Sequence, residues 1–118
     1  MTPFDIHRAA AAVRGLYENR VIARTNDQVV CMSVMTGPFH WHRHPNSDET
    51  FLTLEGAVVV DFADRSVTLG TGQIMTIPAG VVHRTRPEGA RSVNITVERG
   101  DMETEAVDPR PDFSPPAG

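Results

Sequence analysis

Turn-forming clusters recur roughly every nine residues along the middle of this chain, and that spacing leaves little choice of fold. They are Thr25-Asn26-Asp27, Thr36-Gly37-Pro38, Pro45-Asn46-Ser47-Asp48, Glu55-Gly56, Ala63-Asp64-Arg65, Gly70-Thr71-Gly72, Pro78-Ala79-Gly80 and Pro87-Glu88-Gly89. The runs between them are too short for ordinary helices and follow a period of two. They predict nine short strands over 20–24, 28–35, 39–44, 49–54, 57–62, 66–69, 73–77, 81–86 and 91–98. No helical pattern of useful length separates them, so a parallel βαβ sheet is excluded. The expected fold is all-β, an antiparallel sandwich or barrel.

The two ends read differently, which divides the chain into a helical segment (1–19), a barrel (20–99) and an acidic, proline-rich tail (100–118). At the start, Thr2 is expected to cap a helix that Pro3 opens. Asp5 sits at its positive end, Phe4, Ile6, Ala9, Ala10 and Val13 recur at helical spacing, and Gly15 stops it. The tail holds four prolines and five acids against one arginine, and is expected to be loose, with Phe113 its anchor.

Charge and cysteine usage remove several function classes. All 11 basic residues are arginine, so chemistry that needs a lysine is impossible. With ten arginines balanced by ten acids before the tail, no basic patch is expected to hold nucleic acid. Cys31 is the single cysteine, which excludes an internal disulfide and thiolate zinc sites, and it is expected to be a small buried apolar residue. No apolar run is long enough for a membrane helix and no leader pattern is seen, so a cytoplasmic address is expected.

Chemistry concentrates in Phe39-His40-Trp41-His42-Arg43-His44. On a strand, His40, His42 and His44 would share one face, with Phe39, Trp41 and Arg43 on the other. Histidines facing inward would meet in a barrel wide enough for one small ligand. Glu49 opens the next strand, and His83 follows the Pro78-Ala79-Gly80 turn. Neutral imidazoles and a carboxylate suit iron, manganese, nickel, copper or zinc. The triplet Asn94-Ile95-Thr96 is set aside as a chance glycosylation pattern.

Two motifs make the chain resemble the cupin superfamily. The first is His42-Arg43-His44, four residues, Glu49, six residues, Gly56. The second is Gly72, five residues, Pro78, Ala79, Gly80, two residues, His83. The family's closing asparagine is Pro87 here, and Gly37 lies five rather than six residues before His42. The resemblance implies a jelly-roll barrel with His42, His44, Glu49 and His83 as ligands of a divalent transition metal. His40 would then be an additional residue at the cavity mouth. It also implies a homodimer, for which Trp41 and the tail are contact regions. His40, Phe51 and Met75 are expected to line the pocket for a small-molecule ligand, Phe62 and Ile77 to be core or cavity wall, and His7 and Arg84 to be exposed. The expected function is metal-dependent chemistry of oxygenase or isomerase type on a small polar metabolite. The alternative is a non-catalytic small-molecule binding or sensing barrel.

Overall fold

The structure, a computed structural model, describes residues 1–108. Helix α1 (Ile6–Ala11) is the only helix among them. Strands β1 (Tyr17–Thr25), β2 (Gln28–Met35), β4 (Glu49–Glu55), β7 (Ile74–Ile77) and β9 (Ser92–Arg99) form an antiparallel sheet in the order β1-β2-β9-β4-β7. A second sheet has the order β6-β5-β8, from β5 (Ala57–Asp61), β6 (Ser66–Gly70) and β8 (Arg84–Pro87). Strand β3 (His42–Arg43) pairs with β10 (Glu105–Ala106). The fold is the cupin jelly roll, and no helix among the described residues is long and apolar enough to cross a membrane.

The core between the sheets is Met35, Phe51, Val58, Val60, Leu69 and Ile77, with Phe39, Phe62, Val67, Met75 and Val81 against it. A second apolar layer covers the outer face of the five-stranded sheet. There Ile6, Ala9, Ala10 and Val13 of the N-terminal segment meet Met32, Val34, Val93 and Ile95. A helix this short is marginal in water, so burial on the sheet holds it. The Arg91 guanidinium ties it down by donating to the Ala10 carbonyl.

This outer layer sets the direction of every side chain in β2 and β9. Cross-strand pairs Met32 with Ile95 and Val34 with Val93 face the helix. The period of two then sends Cys31, Ser33, Asn94, Thr96 and Glu98 inward. Along this part of β2 and β9 mostly polar residues therefore face the interior and apolar ones the outside, an inversion of the usual sheet.

Three features differ from the expectations. The helix cap is Asp5, whose carboxylate accepts the Arg8 N–H at 3.0 Å, and Thr2 to Phe4 precede the helix. Asp caps as well as Thr does, and it lies next to the residues that reach the sheet. The predicted strand over 39–44 shrinks to His42–Arg43, which pair with Ala106 and Glu105, His42 bridging His83 on its other side. Residues 101–108 are not loose. Acidic Glu105 meets Arg43 at 2.7 Å, Val107 N–H donates to the Trp41 carbonyl at 3.0 Å, and β10 satisfies one side of β3. Phe113 and the rest of 109–118 lie outside the described residues.

One turn admits only glycine. Gly56 joins β4 to β5 at φ +68°, and a Cβ there would collide with the Arg91 carbonyl. Glu49 hangs from the same strand, so this turn helps set where its carboxyl lies.

Candidate metal centre

His42, His44, Glu49 and His83 come from three separate segments. Strand β3 carries His42, with His44 just beyond it, and β4 opens with Glu49. His83 is brought in by reciprocal backbone bonds, His42 N–H to the His83 carbonyl at 3.0 Å and His83 N–H to the His42 carbonyl at 2.9 Å. All four side chains are buried, and one ligand atom from each lies within 4.8 Å of the others. The His42 and His83 ring centroids are 4.4 Å apart, and those of His42 and His44 are 4.9 Å apart.

The backbone decides which nitrogen of each ring faces inward. His42 Nδ1 is 2.7 Å from the His40 carbonyl, His83 Nδ1 is 2.9 Å from the Val81 carbonyl, and His44 Nδ1 is 3.0 Å from the Glu103 carbonyl. A carbonyl only accepts, so each Nδ1 carries the hydrogen and each neutral ring presents a bare Nε2. His44 Nε2 and His83 Nε2 lie 3.2 Å and 3.6 Å from Glu49 Oε1, and none of these three atoms has a hydrogen-bond partner. Buried lone pairs converging without a proton between them form a donor set suited to a cation.

The electrostatics favour a neutral His42 ring and an ionised Glu49, and draw His44 toward its protonated form while no cation is bound. Burial, helped by neighbouring His83, pushes His42 down to about 4, so its ring stays neutral well below neutrality. Burial acts to lower His44 too, but the Glu49 carboxylate more than offsets it and raises this ring. Burial would raise Glu49; His44 and His83 outweigh it and bring the carboxyl down to about 2.

The cluster opens onto a cavity of 270 Å³ walled by residues of β1, β2, β4 and β9 and by Met102 and Thr104 of the C-terminal segment. Phe51 lines it. Met75 does not; it lies in the apolar core beside Phe51 and Ile77. His40 is outside as well, exposed in a surface groove with Trp41, Arg84 and Val107. Strand β3 begins only at His42, after a bend at Trp41, so the expected alternation does not reach His40 and only His42 and His44 turn inward.

Asp61 carries no signal in the sequence. It is fully buried, held by Arg84 Nη2 at 2.7 Å, Arg86 Nε at 2.9 Å and Ser66 Oγ at 2.6 Å. Arg84 is therefore no free surface charge: it clamps Asp61 and lies 4.9 Å over the Trp41 ring. Sequence reasoning also misses Asn19, Ser33, Thr96 and Glu98 on the cavity wall. Their one signal is the alternation of Asn94, Thr96 and Glu98 with Val93, Ile95 and Val97, which does not say which face is inside. Cys31 is buried as expected, but in a polar setting, with its thiol donating to Glu98 Oε1 at 3.3 Å. Burial, then the Glu98 charge, pushes that thiol up to about 12.

Comparison with known proteins gives a consistent result. A family model described as Cupin domain matches residues 28–98. An uncharacterized protein, YdbB of Bacillus subtilis (strain 168), is 40% identical over 103 residues, covering 86% of this chain and 90% of that protein. A crystal structure of a cupin-2 domain containing protein from Shewanella frigidimarina superposes with a TM-score of 0.72 at 28% identity, covering 81% of this chain and 92% of that one. Protein NMB1881 from Neisseria meningitidis gives 0.74 at 27% identity, covering 84% of this chain and all of that one at 100%.

Proposed function

This chain belongs to the cupin-domain family, and we propose that it holds one divalent transition-metal ion through His42, His44, Glu49 and His83. The observation that carries this is the set of three Nδ1–H groups bonded to carbonyls, which leaves bare Nε2 atoms facing a buried carboxylate. Nitrogen and oxygen donors of this kind suit iron, manganese, nickel, copper or zinc. Bound there, the ion supplies a Lewis-acid centre at the wall of the cavity. The protein's own part is to fix the three tautomers, keep Glu49 ionised and shield the ligand atoms from bulk water. We read the chemistry as metal-dependent turnover, oxygenase or isomerase in type, of a small polar molecule.

Metal analysis tests this after separate reconstitution with each of those ions. The wild-type protein takes up one ion per chain, His83→Ala loses it, and His40→Ala keeps it because His40 stands in a different groove. No uptake of any ion, or equal loss in both variants, overturns the assignment. Stoichiometric metal without turnover of any candidate metabolite makes the chain a binding or sensing member instead.

A further inference from the structure

The cavity has a second chemical wall that the metal cluster does not explain. In the register across the five-stranded sheet, Thr96 stands between Cys31 and Phe51, and Glu98 between Val29 and Glu49. Both residues are more than nine-tenths buried, at 2% and 5% exposure, and both line the cavity. Thr96 Oγ1 lies near enough to Glu98 and Cys31 to act on both groups, yet neither it nor Glu98 Oε2 makes a hydrogen bond of good geometry within the protein. Burying such atoms unpaired is costly, so they point to something that binds them. The neighbouring wall adds the side chains of Ser33 and Asn19, while Phe39, Phe51 and Met102 supply apolar surface.

Charge narrows what can sit there. Among the described residues no arginine lines the cavity, and the chain has no lysine. Two carboxyls, Glu49 and Glu98, face each other across paired strands. A second anionic group on a ligand, remote from the metal, would meet these acids and no fixed cation. Hydroxyl groups meet what they need: the unpaired carboxyl oxygen accepts their hydrogens, and the threonine hydroxyl can accept or donate. At 270 Å³ the cavity lies at the lower end of small-molecule sites, which run from about 300 to 1,000 Å³, so the ligand is small.

We propose that this wall recognises a small, uncharged, polyhydroxylated molecule, with one hydroxyl donating to the Glu98 carboxyl and another hydrogen-bonded to Thr96 Oγ1. The proposal deepens the metal-site reading, on which it rests for the ligand's reacting end.

Calorimetric titration with glycerol, erythritol and xylitol, each paired with its acid (glycerate, erythronate, xylonate), tests it on metal-free and metal-loaded full-length protein. On the metal-free protein at least one polyol should bind saturably and about tenfold or more tighter than its acid, a difference of ~1.4 kcal/mol. Thr96→Val should weaken the polyol at least threefold, about 0.65 kcal/mol. Glu98→Gln keeps hydrogen bonding and removes charge, so the preference over the acid should fall towards one. Metal uptake should stay at the wild-type level in both variants, with thermal melting confirming that each is folded. The proposal is overturned if the acids bind the metal-free protein as tightly as the polyols do, if no polyol saturates, or if neither variant changes the preference or the affinity. If Glu98→Gln abolishes metal uptake, Glu98 belongs to the ligand set, and this proposal fails while the metal reading stands. Wild-type protein that keeps the polyol preference but takes up no ion does the opposite: the metal reading fails and the polyol wall stands.

Discussion

At the scale of single residues, the site depends on three imidazoles whose outer nitrogens are occupied by backbone carbonyls. Only neutral rings can ligate, so metal affinity is linked to pH. Glu49 raises His44, and this ring therefore takes a proton early as pH falls, while buried His42 resists until about 4. Both protonations oppose binding, so affinity should fall as pH drops through neutrality and fall further near 4. Competition titrations across that range check this, and an affinity flat down to pH 4 would falsify imidazole ligation. All four residues of the cluster are legible because their spacing matches the two motifs of the family that the chain resembles; the histidine run alone leaves His40 as good a candidate as His42. The role of His40 is not legible. Its side-chain direction depends on how far the strand reaches before His42, and the backbone there bonds to distant segments, Phe39 to Thr85 and Trp41 to Val107.

At the scale of elements, the smaller sheet is locked by Asp61 at the end of β5, where Arg84 and Arg86 of β8 reach it from one side and Ser66 of β6 from the other. Burial alone would raise this carboxyl; the bonds from Arg86, Ser66 and Arg84 outweigh it and hold it at about 2. Asp61→Asn should cost about 2–4 kcal/mol near neutral pH, since it leaves two half-buried arginines facing an amide. The sign with pH follows from the depressed value. The unfolded chain takes up this proton first, so the stabilisation is full above roughly pH 5 and disappears as pH falls through about 2. Denaturant midpoints of wild type and variant should therefore converge in acid, and a gap that stays constant from pH 7 to pH 2 would show that the ion pairs contribute nothing. Most strands are legible because turn residues punctuate them. The identity of the buried face in β9 is not, because Val93 and Ile95 would serve equally well inside; the docking of α1 settles it.

At the scale of the whole molecule, the C-terminal segment closes the barrel. Met102 and Thr104 line the cavity, and the Glu103 carbonyl fixes the His44 ring. Composition alone makes residues 100–108 look unable to bury anything, and five acids against one arginine in the tail point the same way. What composition misses is that the partners are supplied elsewhere: Arg43 for Glu105, and the open side of β3 for the backbone of β10. Truncation after Arg99 should therefore lower metal affinity by ~10–100-fold, the range for losing a group that orients a ligand. Equilibrium dialysis of the shortened protein, with circular dichroism to confirm its sheet content, measures this; unchanged affinity would mean that the His44 ring is oriented without the segment.

The same segment has a consequence for assembly during synthesis. A ribosome has made every proposed ligand once His83 is added, yet the carbonyl that aims the His44 ring arrives only with Glu103, twenty residues later. A nascent chain therefore carries the whole coordinating set before the last wall of its chamber exists. The set cannot assemble in that interval, because β9, the middle strand of the five-stranded sheet, is also made after His83; the site therefore comes into being only as the last strands pack.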